Sequence, residues 1–261
     1  MLPIKDDIPT RRFPIVTVAL IAINIFMFFV FQHATVSTSG AQVDEAVTIK
    51  YAAIPFEITH PGDQCAFVAS GQIACGPASE VDRAVGQNLP PTILTIFTAM
   101  FMHGGLLHLG GNMLFLWIFG NNIEDSMRRP VFLLFYLLGG VVAMLAQTLF
   151  DPNSVVPTLG ASGAIAAVLG AYALLYPRAR VVTLVFIIFF VTLLRLPALV
   201  VLGVWFLLQF LDLSATTPSG GGGGVAYLAH IGGFLFGLAT IRLFATNVHD
   251  DYERPHRLPV Y

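Results

Sequence analysis

Two residues in the apolar part of the chain, Ser162 and His230, have side chains suited to nucleophilic catalysis. Ser162 lies in Gly160-Ala161-Ser162-Gly163 at the start of one hydrophobic stretch, and His230 lies six residues into another. A serine hydroxyl is a poor nucleophile until a neighbouring base takes its proton, and histidine is the usual base. The pair therefore predicts acyl transfer, with Ser162 as the nucleophile and His230 as the general base.

His108 and Asn112 are candidates for stabilising the negative charge that such a reaction creates. They are one helical turn apart, so both face the same way if the segment is a helix. Ser162 is expected in the first turn of its helix, where backbone N–H groups have no partner within the helix. These donors predict an oxyanion site, and Gly160 and Gly163 leave room for the backbone to approach a substrate carbonyl. Gly160 and Ala161 are expected to take part in binding the substrate.

The composition is that of a polytopic membrane protein. Hydrophobic residues make up 56% of the chain and charged residues 11%, far below the roughly 25% charged residues of soluble domains. The net charge of −2 gives no reason to expect a nucleic-acid partner. We expect an all-α membrane bundle that holds no metal and no cofactor.

Six hydrophobic stretches are candidates for membrane spans, each of which needs about 20 apolar residues as a helix. They cover residues 14–31, 104–120, 130–150, 159–176, 197–213 and 224–244. Together they form a predicted membrane domain over residues 14–245, between an N-terminal segment at 1–13 and a tail at 246–261. Residues 181–194 are too few for a full crossing, and we expect them at the membrane interface as helix, hairpin or strand.

The distribution of positive charge predicts the orientation in the membrane. With six spans, Lys50 and Arg83 alone of the 13 Lys and Arg residues fall on the outer side, as expected for a plasma-membrane protein with both termini in the cytoplasm. Spans two, four and six then begin at the outer face. This arrangement predicts that His108, Ser162 and His230 lie in the outer third of the bilayer, in a site that opens outward.

The long outer loop, residues 32–91, contains the two cysteines of the chain, Cys65 and Cys75. An oxidising compartment favours a disulfide between them, and two free thiols are the alternative.

Small residues predict how the helices approach one another. A serine and a histidine on separate helices must come within about 2.6–3.2 Å of each other. Gly163 on span four and the GxxxG pattern of Gly233 and Gly237 on span six are typical of close helix contacts in membranes.

Several polar residues of the spans have predicted roles in packing alone. Glu124 and Arg128 are expected to form an exposed pair one helical turn apart. Asn24, Gln147 and Gln209 are expected to form hydrogen bonds between helices.

Taken together and in this order, the motifs resemble those of the rhomboid family of intramembrane serine proteases. They are His103-x4-His108-x3-Asn112, Gly160-Ala161-Ser162-Gly163 and Ala229-His230-x2-Gly233-x3-Gly237. The resemblance implies a six-helix fold, a Ser162–His230 dyad without a third acid, and an oxyanion site made by His108, Asn112 and the backbone N–H of Ser162. It also implies that Glu124 matches an acidic residue that stabilises the fold.

The sequence departs from the family pattern beside the expected dyad. Several members have a tyrosine four residues after the serine, stacked on the catalytic histidine, and this chain has Ala166 there. Another group must then orient His230, such as Phe234 or a neighbouring helix.

The resemblance implies a serine endopeptidase whose partners are transmembrane protein substrates and the surrounding lipid. A gap between spans two and five, flanked by Trp117 and Trp205, is the predicted lateral entry for a substrate. The oligomeric state is left open. The alternatives are a non-catalytic relative that binds transmembrane helices, and a transporter or channel, although the inner half of the predicted spans is almost purely apolar.

Overall fold

The structure is a computed structural model that describes residues 2–37, 40–68, 72–85, 88–187, 190–215 and 226–248. The helices, in chain order, are α1 Ile15–Phe26, α2 Glu45–Tyr51, α3 Pro55–Thr59, α4 Ala78–Val85, α5 Thr92–Thr98, α6 Leu106–Phe115, α7 Asn121–Asp125, α8 Arg129–Phe150, α9 Ser162–Leu175, α10 Ala198–Ala215 and α11 Tyr227–Phe244. The strands are β1 Leu2–Asp6, β2 Thr35–Ser37, β3 Gly40–Gln42, β4 Asp63–Phe67, β5 Ile73–Pro77, β6 Arg180–Ile187 and β7 Phe190–Pro197. One turn of π-helix extends α1 over Met27–Phe31, and another joins α6 to α7 over Leu116–Gly120.

Helix length separates the apolar helices into two groups. Among the described residues, α8 and α11 are long and apolar enough to cross a membrane. The segments Thr92–Phe101 and Leu106–Asp125, which meet at an 80° bend, form a third candidate if they make one broken span. Three shorter apolar helices cover Ile15–Phe31, Ser162–Leu175 and Ala198–Leu211. The fold is mostly helical, and the count of six spans stays a prediction.

The predicted bounds of spans four and six do not coincide with the bounds of α9 and α11. Helix α9, which corresponds to the predicted fourth span, begins at Ser162, three residues later than the predicted start at residue 159. Residues 224 and 225 of the predicted sixth span and residues 249–261 of the predicted tail lie outside the described residues.

The prediction of an all-α fold is wrong at three small antiparallel sheets. Residues 181–194 fall in the hairpin of β6 and β7, and β1 pairs with β6 to form a three-stranded sheet. This sheet begins just after the carboxyl end of α9, at the opposite end of that helix from Ser162. Residues 181–194 are rich in valine and other residues that favour strands. Pairing in a sheet satisfies the backbone polar groups of such an apolar segment.

The predicted outer loop, residues 32–91, has local secondary structure in its described residues. It contains α2, α3, α4 and two two-stranded sheets. Cys65 and Cys75 lie opposite each other on β4 and β5 and form a disulfide, with a Cα–Cα distance of 4.1 Å.

Glu124 holds the start of α1 in place. Its carboxylate accepts hydrogen bonds from the backbone N–H groups of Val16 and Thr17, at 3.0 and 2.7 Å, and from the Thr17 hydroxyl at 2.8 Å. These are first-turn donors that have no partner within the helix. The predicted exposed pair with Arg128 is wrong, because Glu124 is only 3% exposed and its cationic neighbour is Arg129, at 3.8 Å.

Asp6 anchors the N-terminal strand to the helices. Its buried carboxyl accepts hydrogen bonds from the side-chain amide of Asn122, on α7, and from the hydroxyl of Tyr172, on α9, at 2.5 and 2.7 Å. Burial raises the pKa of Asp6 to about 7, although the hydrogen bond from Tyr172 opposes the shift.

The raised pKa of Asp6 predicts that folding stability falls with increasing pH. The native state retains a proton that the unfolded state loses near pH 4, so this contribution is present in acid and is lost as the pH rises through about 7. In detergent, the Tm should therefore fall between about pH 5 and 8, and Asp6→Asn should remove much of that fall. An equal pH dependence in both proteins would contradict this role of Asp6.

Helices α9 and α11 are in backbone contact through glycines. A Cβ atom at Gly237 would overlap the carbonyl oxygen of Ala167, and one at Gly170 would overlap that of Phe234. A Cβ atom at Gly233 would overlap the carbonyl oxygen of Gly163. The absence of side chains at these positions therefore determines how closely the two helices approach.

We predict that Gly237→Ala separates α9 from α11. The added methyl group has no space, so we expect a loss of at least about 2 kcal/mol of stability and a fall in any activity that needs both helices. The measurement is thermal unfolding in detergent beside a functional assay. The matched control is Gly203→Ala on α10, where an added Cβ meets no described atom within 4 Å; equal effects of the two substitutions would contradict the prediction.

Candidate active site

Ser162 is the first residue of α9 and follows a sharp turn at Gly160. Gly160 has a φ of +127°, which residues with L side chains rarely adopt. Its N–H donates to the carbonyl oxygen of Ala99 at 2.8 Å, and a Cβ added to it would lie 2.8 Å from Nε2 of His108. Only glycine fits this turn, which holds the backbone before Ser162 against the beginning of α6.

His230 lies in the first turn of α11 and faces Ser162. Its Nε2 is 2.7 Å from Oγ of Ser162, within the range of about 2.6–3.2 Å expected for a nucleophile and its base. The glycine contacts between α9 and α11 begin next to this pair, where Gly233 meets Gly163. The distance between the two helices therefore sets the distance between the two side chains.

The other ring nitrogen of His230 contacts α10. Nδ1 lies 2.6 Å from Oε1 of Gln209, and the imidazole ring lies 5.8 Å from the ring of Trp205, centroid to centroid. Phe234 and a neighbouring helix are the two predicted candidates for orienting His230. The contacts described here come from the neighbouring helix α10, whereas Phe234 packs against Trp205.

The prediction for Gln209 was incomplete, since its partner is not an ordinary packing residue but His230. The sequence signal for this contact is a glutamine on an apolar helix, one turn after a tryptophan. Polar side chains within apolar membrane helices usually face the interior of the bundle.

His108 is oriented as a hydrogen-bond donor toward Gly160. Its Nδ1 accepts the N–H of Gly104 at 3.4 Å, so Nε2 carries the proton of the neutral ring. Nε2 lies beside Gly160: a Cβ atom added there would contact both this nitrogen, at 2.8 Å, and Oγ of Ser162, at 3.4 Å. His103 packs its ring edgewise on His108, with 5.1 Å between centroids.

Asn112 supplies a second donor on the same face of α6. Its side chain is buried, and Nδ2 has no hydrogen-bond partner among the described residues. A buried donor without a partner is costly and is available to a ligand. The first-turn N–H groups of α9 are similarly without partners in their helix, so three kinds of donor surround the space next to Ser162.

These groups line one cavity of about 770 Å³. Ser162, His230, His108, Asn112 and Gly160 all contribute to its wall, together with Trp205 and Gln209 of α10. Ala161, predicted to bind substrate, is fully buried and is not among the described residues of the cavity wall.

The two tryptophans predicted to flank the entrance differ in their relation to the cavity. Among the described residues, Phe115 and Trp205 line the cavity, with ring centroids 6.5 Å apart, whereas Trp117 is 48% exposed and is not part of the wall. Trp117 lies in the π-helical turn after α6.

Comparison with known proteins identifies relatives that share this region. The sequence model of the Rhomboid domain matches residues 90–247, a range that contains every residue lining the cavity. The chain is 30% identical over 152 residues to "Rhomboid protein 1, mitochondrial" of Saccharomyces cerevisiae, covering 56% of this chain and 40% of that protein. It is 32% identical over 151 residues to "Presenilin-associated rhomboid-like protein A, mitochondrial" of Danio rerio, covering 56% and 36%.

A bacterial relative matches a shorter segment. "Rhomboid protease GluP" of Bacillus subtilis is 40% identical over 76 residues, covering 29% of this chain and 14% of that protein. The chain thus spans less than half the length of each of these three relatives.

Proposed function

This chain belongs to the rhomboid family, and we propose that it is an intramembrane serine endopeptidase that cuts transmembrane segments of other membrane proteins. The observation that carries the proposal is the 2.7 Å hydrogen bond between Oγ of Ser162 and Nε2 of His230. This pair lines a cavity that also contains donors able to bind an oxyanion. The name of the Bacillus subtilis relative, a rhomboid protease, supports the same activity.

In the first step of the proposed reaction, Oγ of Ser162 bonds to the scissile carbonyl carbon while its proton passes to Nε2 of His230. The carbonyl oxygen takes up the displaced electron pair and becomes the oxyanion. Nε2 of His108, Nδ2 of Asn112 and the N–H of Ser162 are positioned to donate to it. Each such donor contributes about 3 kcal/mol in other serine hydrolases.

The second half of the reaction returns the proton. As the oxyanion collapses, the C–N bond breaks and the leaving amine takes the proton from Nε2. A water molecule then gives a proton to His230 and attacks the acyl carbon, which releases the acid and restores the Ser162 hydroxyl. His230 serves as base and acid in turn.

The form of the substrate follows from the chemistry of an apolar environment. An intact helix shields its carbonyl groups by internal hydrogen bonds, so a substrate helix must unwind locally before Ser162 can attack. The edge of the cavity where Phe115 of α6 meets Trp205 of α10 is the proposed entrance for that segment.

We further propose six spans, with both termini in the cytoplasm and the cavity open to the outer face. The asymmetry of Lys and Arg residues supports this orientation, and the Cys65–Cys75 disulfide fits an outer loop in an oxidising compartment. The same two observations support a plasma-membrane location, while two relatives are named as mitochondrial.

We predict that Ser162→Ala abolishes proteolysis. Purified protein in liposomes should cut a single-span reporter and react with a fluorophosphonate, and the variant should lose both activities, with cleavage falling at least about a thousand-fold. His230→Ala should behave in the same way, because Oγ then has no base.

Ser154→Ala is the matched control, since this serine lies in the loop before α9 and outside the cavity wall. It should retain labelling and cleavage. Cleavage that persists in Ser162→Ala would remove the serine mechanism from consideration.

A further inference from the structure

Gln209 makes two hydrogen bonds that together determine the orientation of its amide. Nε2 donates to the backbone carbonyl oxygen of Trp205 at 3.3 Å, and Oε1 lies 2.6 Å from Nδ1 of His230. A carbonyl oxygen can only accept, so the NH₂ group of Gln209 must face Trp205. Oε1 is thereby left facing the imidazole, as an acceptor.

This orientation selects one tautomer of His230. Because Oε1 of Gln209 can only accept, Nδ1 must carry the proton of the neutral ring. The lone pair is then on Nε2. Nε2 is the nitrogen that lies 2.7 Å from Oγ of Ser162. The opposite tautomer would place a proton on Nε2 and could not accept the proton of the serine.

Trp205 restrains the same ring from a second direction. Its indole lies 5.8 Å from the imidazole at an angle of 40°, and it is one helical turn from Gln209, so both side chains face the same way. Ala166, on α9, has no ring to pack there. Helix α10 therefore supplies both the hydrogen-bond acceptor and the aromatic contact that hold His230.

We propose that Gln209 is a positioning residue that fixes the tautomer and ring orientation of His230, and this rests on the proposed protease function. The proton of Ser162 passes to Nε2 during attack, while Nδ1 keeps its own proton and its bond to Oε1. Gln209 takes up no proton; its carbonyl dipole stabilises the imidazolium that forms. Because that charge appears only during the reaction, the effect should fall on kcat and leave KM nearly unchanged.

The test compares Gln209→Met, which keeps the length of the side chain without an acceptor, with Gln209→Glu, which restores an acceptor oxygen. Cleavage kinetics should show a fall in kcat of about 10- to 100-fold for the methionine variant, with KM within about two-fold. The glutamate variant should retain a larger kcat than the methionine variant. Gln147→Met makes the same chemical change on α8, away from the cavity wall, and should leave kcat unchanged.

The second readout is the ¹⁵N spectrum of protein labelled at histidine, in which the His230 signal is assigned by its loss in His230→Ala. The wild-type protein should have the Nδ1–H tautomer at His230, and Gln209→Met should lose this preference. This measurement needs no turnover. If the hydrogen bond of Gln209 served only to join two helices, its loss would leave the tautomer of His230 unchanged.

The outcomes separate the two proposals. If cleavage depends on Ser162 but both kcat and the tautomer are unchanged in Gln209→Met, the role of Gln209 is wrong and the protease function stands. If the wild-type ring has its proton on Nε2, the role is also wrong. If cleavage does not depend on Ser162, the serine protease function fails and the positioning role of Gln209 fails with it.

Discussion

The close backbone contact between α9 and α11 is the constraint on which the candidate site depends. Ser162 begins one helix and His230 lies in the first turn of the other, so the distance between the helices becomes the distance between hydroxyl and imidazole. Glycines at the contact allow an approach that even a methyl group would prevent. Because helix association in lipid relies on packing rather than on the hydrophobic effect, small residues are the direct means of setting this geometry.

Polar groups complete the arrangement at both ends of the bundle. At the site, α6 brings His108 and Asn112 to one side of Ser162, while α10 brings Gln209 to the far side of His230. At the other end, Glu124 caps α1, and Asp6 ties the N-terminal strand to α7 and α9. Gln209, Glu124 and Asp6 each have a hydrogen-bond partner on another element, as expected where an unpaired buried group is costly.

The sequence was most informative where the signal was local. Helical spacing related His108 to Asn112 and Gly233 to Gly237, and the motif order suggested that the serine and histidine meet. It was least informative for pairings between distant segments: β1 pairs with a strand about 180 residues away, Glu124 caps a helix 107 residues earlier, and Gln209 finds its partner 21 residues later on a different helix. Nothing in the local pattern of these residues specifies such partners, because tertiary packing alone brings them together.

The most direct test of the account is the structure of the protein after reaction with a fluorophosphonate, whose phosphoryl oxygen stands in for the oxyanion. We expect phosphorus bonded to Oγ of Ser162, with that oxygen within about 3.2 Å of at least two of three donors: Nε2 of His108, Nδ2 of Asn112 and the N–H of Ser162. Phosphorus on a different residue, or an oxygen directed away from all three donors, would contradict the account.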